Sequence, residues 1–252
     1  METALKDRKL TWIKDSFDER DKKLTLIVKP IPPLIDLRSK DTSVVDQENL
    51  GSCTGNATGG TFDFEHKNSG LGEFRSARLM IYYDARAIEH TVSDDNGAMI
   101  RDCYKSLGTG KKGVGVCPED MWKYNVLMFD VKPTPECYKE AKKHHALNYK
   151  SIHQTPLQLK GCLADFHPFT FGFDVYSNFM DIRSNGIMKM PSGTYEGGHA
   201  VMAVGYIESD RIYIVKNSWG EGWGNKGYFY MPYDYMNDDN LTNDFWTMRK
   251  VA

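Results

Sequence analysis

Four residues of the 252-residue chain have the side-chain types that thiol-based nucleophilic catalysis requires. Cys53 follows Leu-Gly-Ser in "DQENLGSCTGNATGG" and precedes small residues able to open a helix. Alone it could be a nucleophile, a metal ligand, half of a disulfide or a small buried hydrophobe. A nucleophilic cysteine needs a base, a group that orients the base, and donors for an oxyanion. Gln47 stands six residues earlier on the leading loop, where its amide can donate beside the Cys53 backbone N–H. A helix beginning at Cys53 would lower its thiol pKa through the partial positive charge at the helix N-terminus. His199 opens the apolar run "HAVMAVGY", and Asn217 closes the next one, "IVKN". If these two strands pair antiparallel, the Asn217 oxygen can accept from the far imidazole nitrogen and fix the tautomer. Trp219 and Trp223 follow closely and can shield that bond from water.

The elements that must hold these groups are legible as a helix-rich half followed by a strand-rich half. The spacing predicts a helix through "CTGNATGGTFDFEHKN" from Cys53, with glycines on one face for close packing against another backbone. "SARLMIYYDARAIE" and "MIRDCYKSLG" read as two more helices, and "YKEAKKHHA" as a fourth. The Gly- and Pro-rich stretch 108–137 reads as irregular. From about residue 149 the period changes to that of strands: "YKSIHQ", "FTFGFDVYSNF", "HAVMAVGYIES", "RIYIVKNSW" and "GYFYMPY". "KPIPPLIDLRS" is a Pro-rich lead into an extended segment. The expected fold class is α+β with two lobes.

Composition narrows the function. With 32 basic and 34 acidic residues, the net charge of -2 offers no strong field for nucleic acid or an anionic membrane. No apolar run approaches the roughly 18 residues that span a bilayer. The five cysteines, Cys53, Cys103, Cys117, Cys137 and Cys162, are odd in number, widely spread and without a CxxC pair. A disulfide framework and a zinc site are therefore not expected, and a reducing compartment is the simpler reading. The charged N-terminus has no apolar core of a secretory signal. Neither metal nor organic cofactor is required.

The pieces "IDLR", "DQENLGSC", "GGHAVMAVGY" and "KNSWGEGWGNKGYF" resemble, in order and spacing, the papain-like cysteine peptidases of the cathepsin type. The resemblance covers most of residues 33–231 and implies the papain-like two-lobe fold. A helical lobe (about 45–147) carries Cys53. A β-rich lobe (about 33–44 and 148–252), antiparallel and barrel-like, carries His199, and the cleft lies between them. It implies Cys53 as nucleophile, His199 as general base and acid, Asn217 as orienter and Gln47 as oxyanion donor. It places Gly51, Ser52, Gly97, Ala98, Gly198 and Trp219 along a substrate cleft, with Phe245 in "TNDFWT" on the floor of a side-chain pocket. The implied activity is hydrolysis of peptide bonds in a polypeptide substrate. The alternative is a non-catalytic peptide-binding or scaffold homologue.

Departures from the family pattern carry their own expectations. Leu50 stands where a half-cystine is usual, which implies a reducing compartment, cytoplasmic or virion-associated, and Thr54 stands where an aromatic is usual. Trp12, Asp15, Asp18, Arg20 and Asp21 match the "W-x-x-D-x-x-D-x-R-D" leader of a short bacterial and large-virus branch. Residues 1–32 are too short for a full inhibitory bundle, but as a short propeptide they could plug the cleft. "GGHA" resembles the cathepsin B form of the histidine motif, without that enzyme's occluding loop. The pair His144-His145 reads as a solvated helix face. Cys103, Cys117, Cys137 and Cys162 read as free and buried, with one disulfide among them the alternative.

Overall fold

The computed structural model describes residues 8–26 and 30–252. Two hydrophobic cores organise it. The first is built by helices α1 (Cys53–His66), α2 (Arg78–Glu89), α3 (Ile100–Leu107) and α4 (Pro135–Ala141). α1 contains Gly55, Gly59 and Gly60, at a propensity cost of about 1 kcal/mol each against alanine. The gain is proximity: a Cβ on Gly55 would lie 2.9 Å from the Arg78 carbonyl oxygen and 3.0 Å from the Tyr82 Cβ. The glycine face thus lets α1 pack almost backbone to backbone on α2, and it buries Cys53 at the junction. α4 is capped by the Thr134 side chain and starts with proline at its first turn.

The second core lies on an antiparallel sheet. Its strands are β1 (Leu34–Asp36), β2 (Ala146–Ser151), β3 (Phe169–Tyr176), β4 (Tyr195–Ile207), β5 (Ile212–Lys216), β6 (Tyr228–Pro232) and β7 (Thr242–Val251). The order is β2-β7-β3-β4-β5-β6, with β1 paired to β4. Short helices α5 (Pro156–Ala164) and α6 (Tyr233–Met236) complete this half. Phe169, Phe171, Phe173, Phe179, Phe229 and Phe245 fill its centre. β4 is central and buried almost throughout, which is why it reads as continuous rather than alternating apolar sequence.

Two expectations change in detail. The fourth helix ends at Ala141, so His144 and His145 do not form a solvated helix face. His144 packs its ring 4.7 Å from that of Phe74, and His145 Nδ1 lies 3.0 Å from the Gly108 carbonyl oxygen. Phe245 is not on a pocket floor. It stacks on Phe171 at 5.6 Å inside the β core. The cause is a bulge in β7: Trp246 pairs with Thr170 and Asn243 with Gly172, so one extra residue stands on β7. Asp244 takes it up at φ 60, which turns Phe245 inward and Asp244 toward the cleft. The cysteines are all free and buried.

Candidate active site

Cys53 is the first residue of α1 and is 0% exposed. His199 on β4 is also 0% exposed, and its register partner on β3 is Phe173. Asn217 follows the last residue of β5. The Asn217 Oδ1 accepts from the Ser218 backbone N–H at 2.8 Å, which fixes the amide orientation. The same oxygen lies 2.8 Å from His199 Nε2, so Nε2 carries the proton and donates. Nδ1 is left as the free lone pair, buried and without a hydrogen-bond partner among the described residues. Trp219 covers the pair, with its ring 5.1 Å from the imidazole, and Phe173 meets the imidazole edge-on at 5.8 Å. Gln47 is buried between the lobes. Its Oε1 accepts from Ser218 Oγ at 2.7 Å and its Nε2 donates to the Leu50 carbonyl at 3.0 Å. Ser218, which locks both amides, was not singled out from the sequence; its only signal there is adjacency to Asn217.

The leader runs through this site. Trp12 N–H donates to the Gly198 carbonyl at 2.9 Å and Ile13 N–H to the Ala98 carbonyl at 3.3 Å. Thr11 Oγ1 donates to the Gly51 carbonyl at 3.0 Å. A Cβ on Gly97, at φ 89, would overlap the Thr11 carbonyl oxygen, so glycine is required for the backbones to approach this closely. Each leader-motif residue has a use. Trp12 Nε1–H donates to Asp244, and Asp15 accepts from Trp246 Nε1–H at 2.8 Å and from the Arg101 N–H at 3.1 Å. Asp18 holds Arg20 and Lys105, and Asp21 lies 3.8 Å from Arg101. Arg8 pairs with Asp46 and lies over Trp219, and Lys9 pairs with Asp95 at 2.6 Å.

Under the leader neither member of the pair is set up to carry charge. Burial pushes the Cys53 thiol up to about 11; the backbone groups of Ala200, Thr11 and Thr54 offset only part of this. Burial likewise brings His199 down to about 4 against the bond to Asn217, with the Arg8 charge adding to the depression. With the leader in place, burial thus favours a neutral thiol beside a neutral imidazole. Among the described residues no cluster of three or more His, Cys, Asp or Glu could hold a metal ion. No helix there is long and apolar enough to cross a membrane.

Residues 31–247 match the family described as papain family cysteine protease. The chain belongs to the papain family of cysteine proteases. An uncharacterized peptidase C1-like protein of Acanthamoeba polyphaga mimivirus is 40% identical over all of this chain and 90% of its own length. Xylellain, a cysteine protease from Xylella fastidiosa, is 37% identical and superposes with a TM-score of 0.91 over 98% of this chain and 97% of its own. The procathepsin B of Trypanosoma congolense shares the papain-like fold at a TM-score of 0.75 and 14% identity, covering 100% of this chain and 89% of that one. Family membership makes the chain a hydrolase of the cysteine-peptidase type.

Proposed function

We propose that this chain hydrolyses peptide bonds through Cys53, His199 and Asn217, and that residues 1–32 act as a short propeptide over the peptidase domain 33–252. The observation that carries this reading is the imidazole itself: Nε2–H is committed to Asn217, and Nδ1 is a buried, unpartnered lone pair. Once the leader withdraws, burial no longer opposes both charges, and the thiol proton passes from Sγ to Nδ1. The thiolate then attacks the substrate carbonyl carbon. The Cys53 N–H and the Gln47 Nε2–H, the latter held in place by Ser218, donate to the oxyanion. As the C–N bond breaks, Nδ1–H protonates the leaving amine. The imidazole next takes a proton from water, which hydrolyses the thioester and frees Cys53. Gly51, Ser52, Gly97, Ala98, Gly198 and Trp219 line the path of the polypeptide substrate.

The first test is intact mass after reaction with an epoxysuccinyl thiol reagent, run on the native chain, a leader-truncated form (residues 31–252) and Cys53→Ala. The expected result is one adduct that requires Cys53 and forms faster without the leader. Peptide hydrolysis should appear in the same forms and vanish in Cys53→Ala. A soluble, leader-free protein with neither adduct nor cleavage would leave a peptide-binding scaffold as the better reading.

A further inference from the structure

The two oxyanion donors of the site stand on different supports. Gln47 is tied to the β-rich half through Ser218: its backbone N–H donates to the Ser218 carbonyl at 2.8 Å, and its Oε1 accepts from Ser218 Oγ at 2.7 Å. Cys53 belongs to α1 of the helical half. Between them the chain turns with Glu48 at φ 55, a conformation that side chains rarely adopt. Leu50 N–H donates to the Gln47 carbonyl at 3.3 Å, but that bond lies within the turn and does not fix it to α1. Arg78 and Tyr124 reach the turn from the helical half, and among the described residues Tyr124 is the one of the two that bonds Gln47 itself. Its hydroxyl donates to the Gln47 carbonyl at 2.8 Å and accepts from Ser52 Oγ at 2.7 Å. Ser52 immediately precedes Cys53 and is held from α1, where Asn56 Nδ2 donates to its Oγ and to its carbonyl, both at 2.9 Å. Arg78 backs the arrangement, donating to Asn56 Oδ1 at 2.6 Å and to the Asp46 carbonyl at 3.2 Å.

We propose that Tyr124 is a positioning residue for peptide hydrolysis, its hydroxyl fixing the two oxyanion donors relative to each other by pinning the Gln47 backbone to Ser52. The inference rests on the peptidase reading above. Oxyanion donors act only when they are held in place before the charge develops. Without the bridge, Gln47 follows Ser218 while the Cys53 N–H follows α1, so any shift between the halves moves the donors apart. The ring has a separate use. It lines a surface cavity of about 840 Å³ and lies under Arg78, whose guanidinium carbon is 4.1 Å from its centre. A phenylalanine ring would serve that purpose equally, so the hydroxyl can be tested by itself. Burial raises the phenol to about 12, against its bond to Ser52 and the Arg78 charge, so it stays a hydrogen donor at neutral pH. Removing a whole oxyanion donor costs about 10²–10³-fold in kcat, and letting one drift costs less, about tenfold. Substrate binding and thiolate formation precede the oxyanion and do not depend on the bridge.

The test is Tyr124→Phe in the full-length chain carrying Trp12→Ala, read in two reactions. Hydrolysis of a peptide amide should show kcat about tenfold lower and KM within about twofold of the parent. Reaction of Cys53 with a dipyridyl disulfide should keep its rate and pH profile, because the thiolate attacks sulfur, expels a thiopyridone and forms no oxyanion. In a Gln47→Ala background, Tyr124→Phe should cost no more than about twofold further, since the donor it positions is gone. An unchanged kcat overturns the proposal and leaves the peptidase reading standing. So does a parallel fall in hydrolysis and disulfide exchange, which would make Tyr124 a support of the whole site, and so does a full additional loss in Gln47→Ala. Absence of both cleavage and Cys53 reaction in the parent overturns the two readings together. If Tyr124→Phe does not fold, Ser52→Ala breaks the bridge from its other end and should show the same split between the two reactions; equal effects on both overturn the proposal.

Discussion

Replacing Trp12 by alanine in the full-length chain is expected to raise kcat/KM for peptide hydrolysis by about 10²-fold. Trp12 anchors the leader in the cleft through its indole, which lies on Gly172 and Gly198 on one face of the β3–β4 pair, and through its bond to Asp244. Deleting a tryptophan from a packed site costs about 3–5 kcal/mol, and the lower end applies because Trp12 is only part-buried. At 1.4 kcal/mol per factor of ten, about 3 kcal/mol is about 10²-fold in the open population. The gain stops once the open form predominates. The rate of adduct formation at Cys53 should rise in parallel, since the leader covers substrate path and thiol together. Phe17→Ala is the matched control: Phe17 is in the same leader but 95% exposed, and its loss should change neither rate. A Trp12→Ala chain no faster than its parent would mean that other contacts suffice to hold the leader, or that its departure does not limit turnover.

The site was legible where function demands particular residue types in short, ordered motifs. Cys53 at a helix start, His199 within one strand and Asn217 just past the end of the next need only local pattern and one antiparallel pairing to be placed together. The helices and strands followed from their periods because each half buries one contiguous core. What was not legible depends on contacts between distant residues. Trp12 and Asp244 are 232 positions apart, and nothing near either one announces the other. Phe245, expected on a pocket floor, lies in the β core instead, because a bulge leaves no trace in simple alternation. An aspartate beside a large apolar residue reads as solvent-facing, and only φ 60 at Asp244 shows which of the two is turned to the cleft. His144 misled for a related reason: its aromatic partners, Phe74 and His66, come from a separate part of the helical half.

The leader's grip should loosen as pH rises, and the group responsible is Asp15. Burial, aided by the nearby Asp244 charge, raises its carboxyl to about 8 in the docked leader. Trp246, the Arg101 backbone N–H and the Arg101 charge oppose that shift but do not cancel it. In a released leader the same carboxyl returns to about 3.9, the value of a solvated aspartate. The docked form therefore holds a proton that the free form gives up. Docking is strongest below about pH 4 and weakens by up to tenfold per pH unit as pH rises, until the docked pKa of about 8 is passed. Asp244, raised to about 6 chiefly by its own burial, acts in the same direction. Asp18 is held low by Arg20 and Lys105, so it favours docking once ionised and opposes the trend only in the acid range. The measurement is hydrogen exchange in Cys53→Ala, where no self-cleavage intervenes, at the Trp12 and Ile13 amides that bond to Gly198 and Ala98. Their protection, corrected for intrinsic exchange, should fall by at least tenfold between pH 5 and pH 8. Asp15→Asn loses one acceptor and so docks more weakly overall, but it carries no titratable proton. Its protection should fall much less steeply across the same range, the remaining slope being that of Asp244. An unchanged slope in Asp15→Asn would move the control to Asp244. Protection that rises with pH in the parent would mean that the ion pairs along residues 8–21, rather than the buried carboxyl, govern release of the leader.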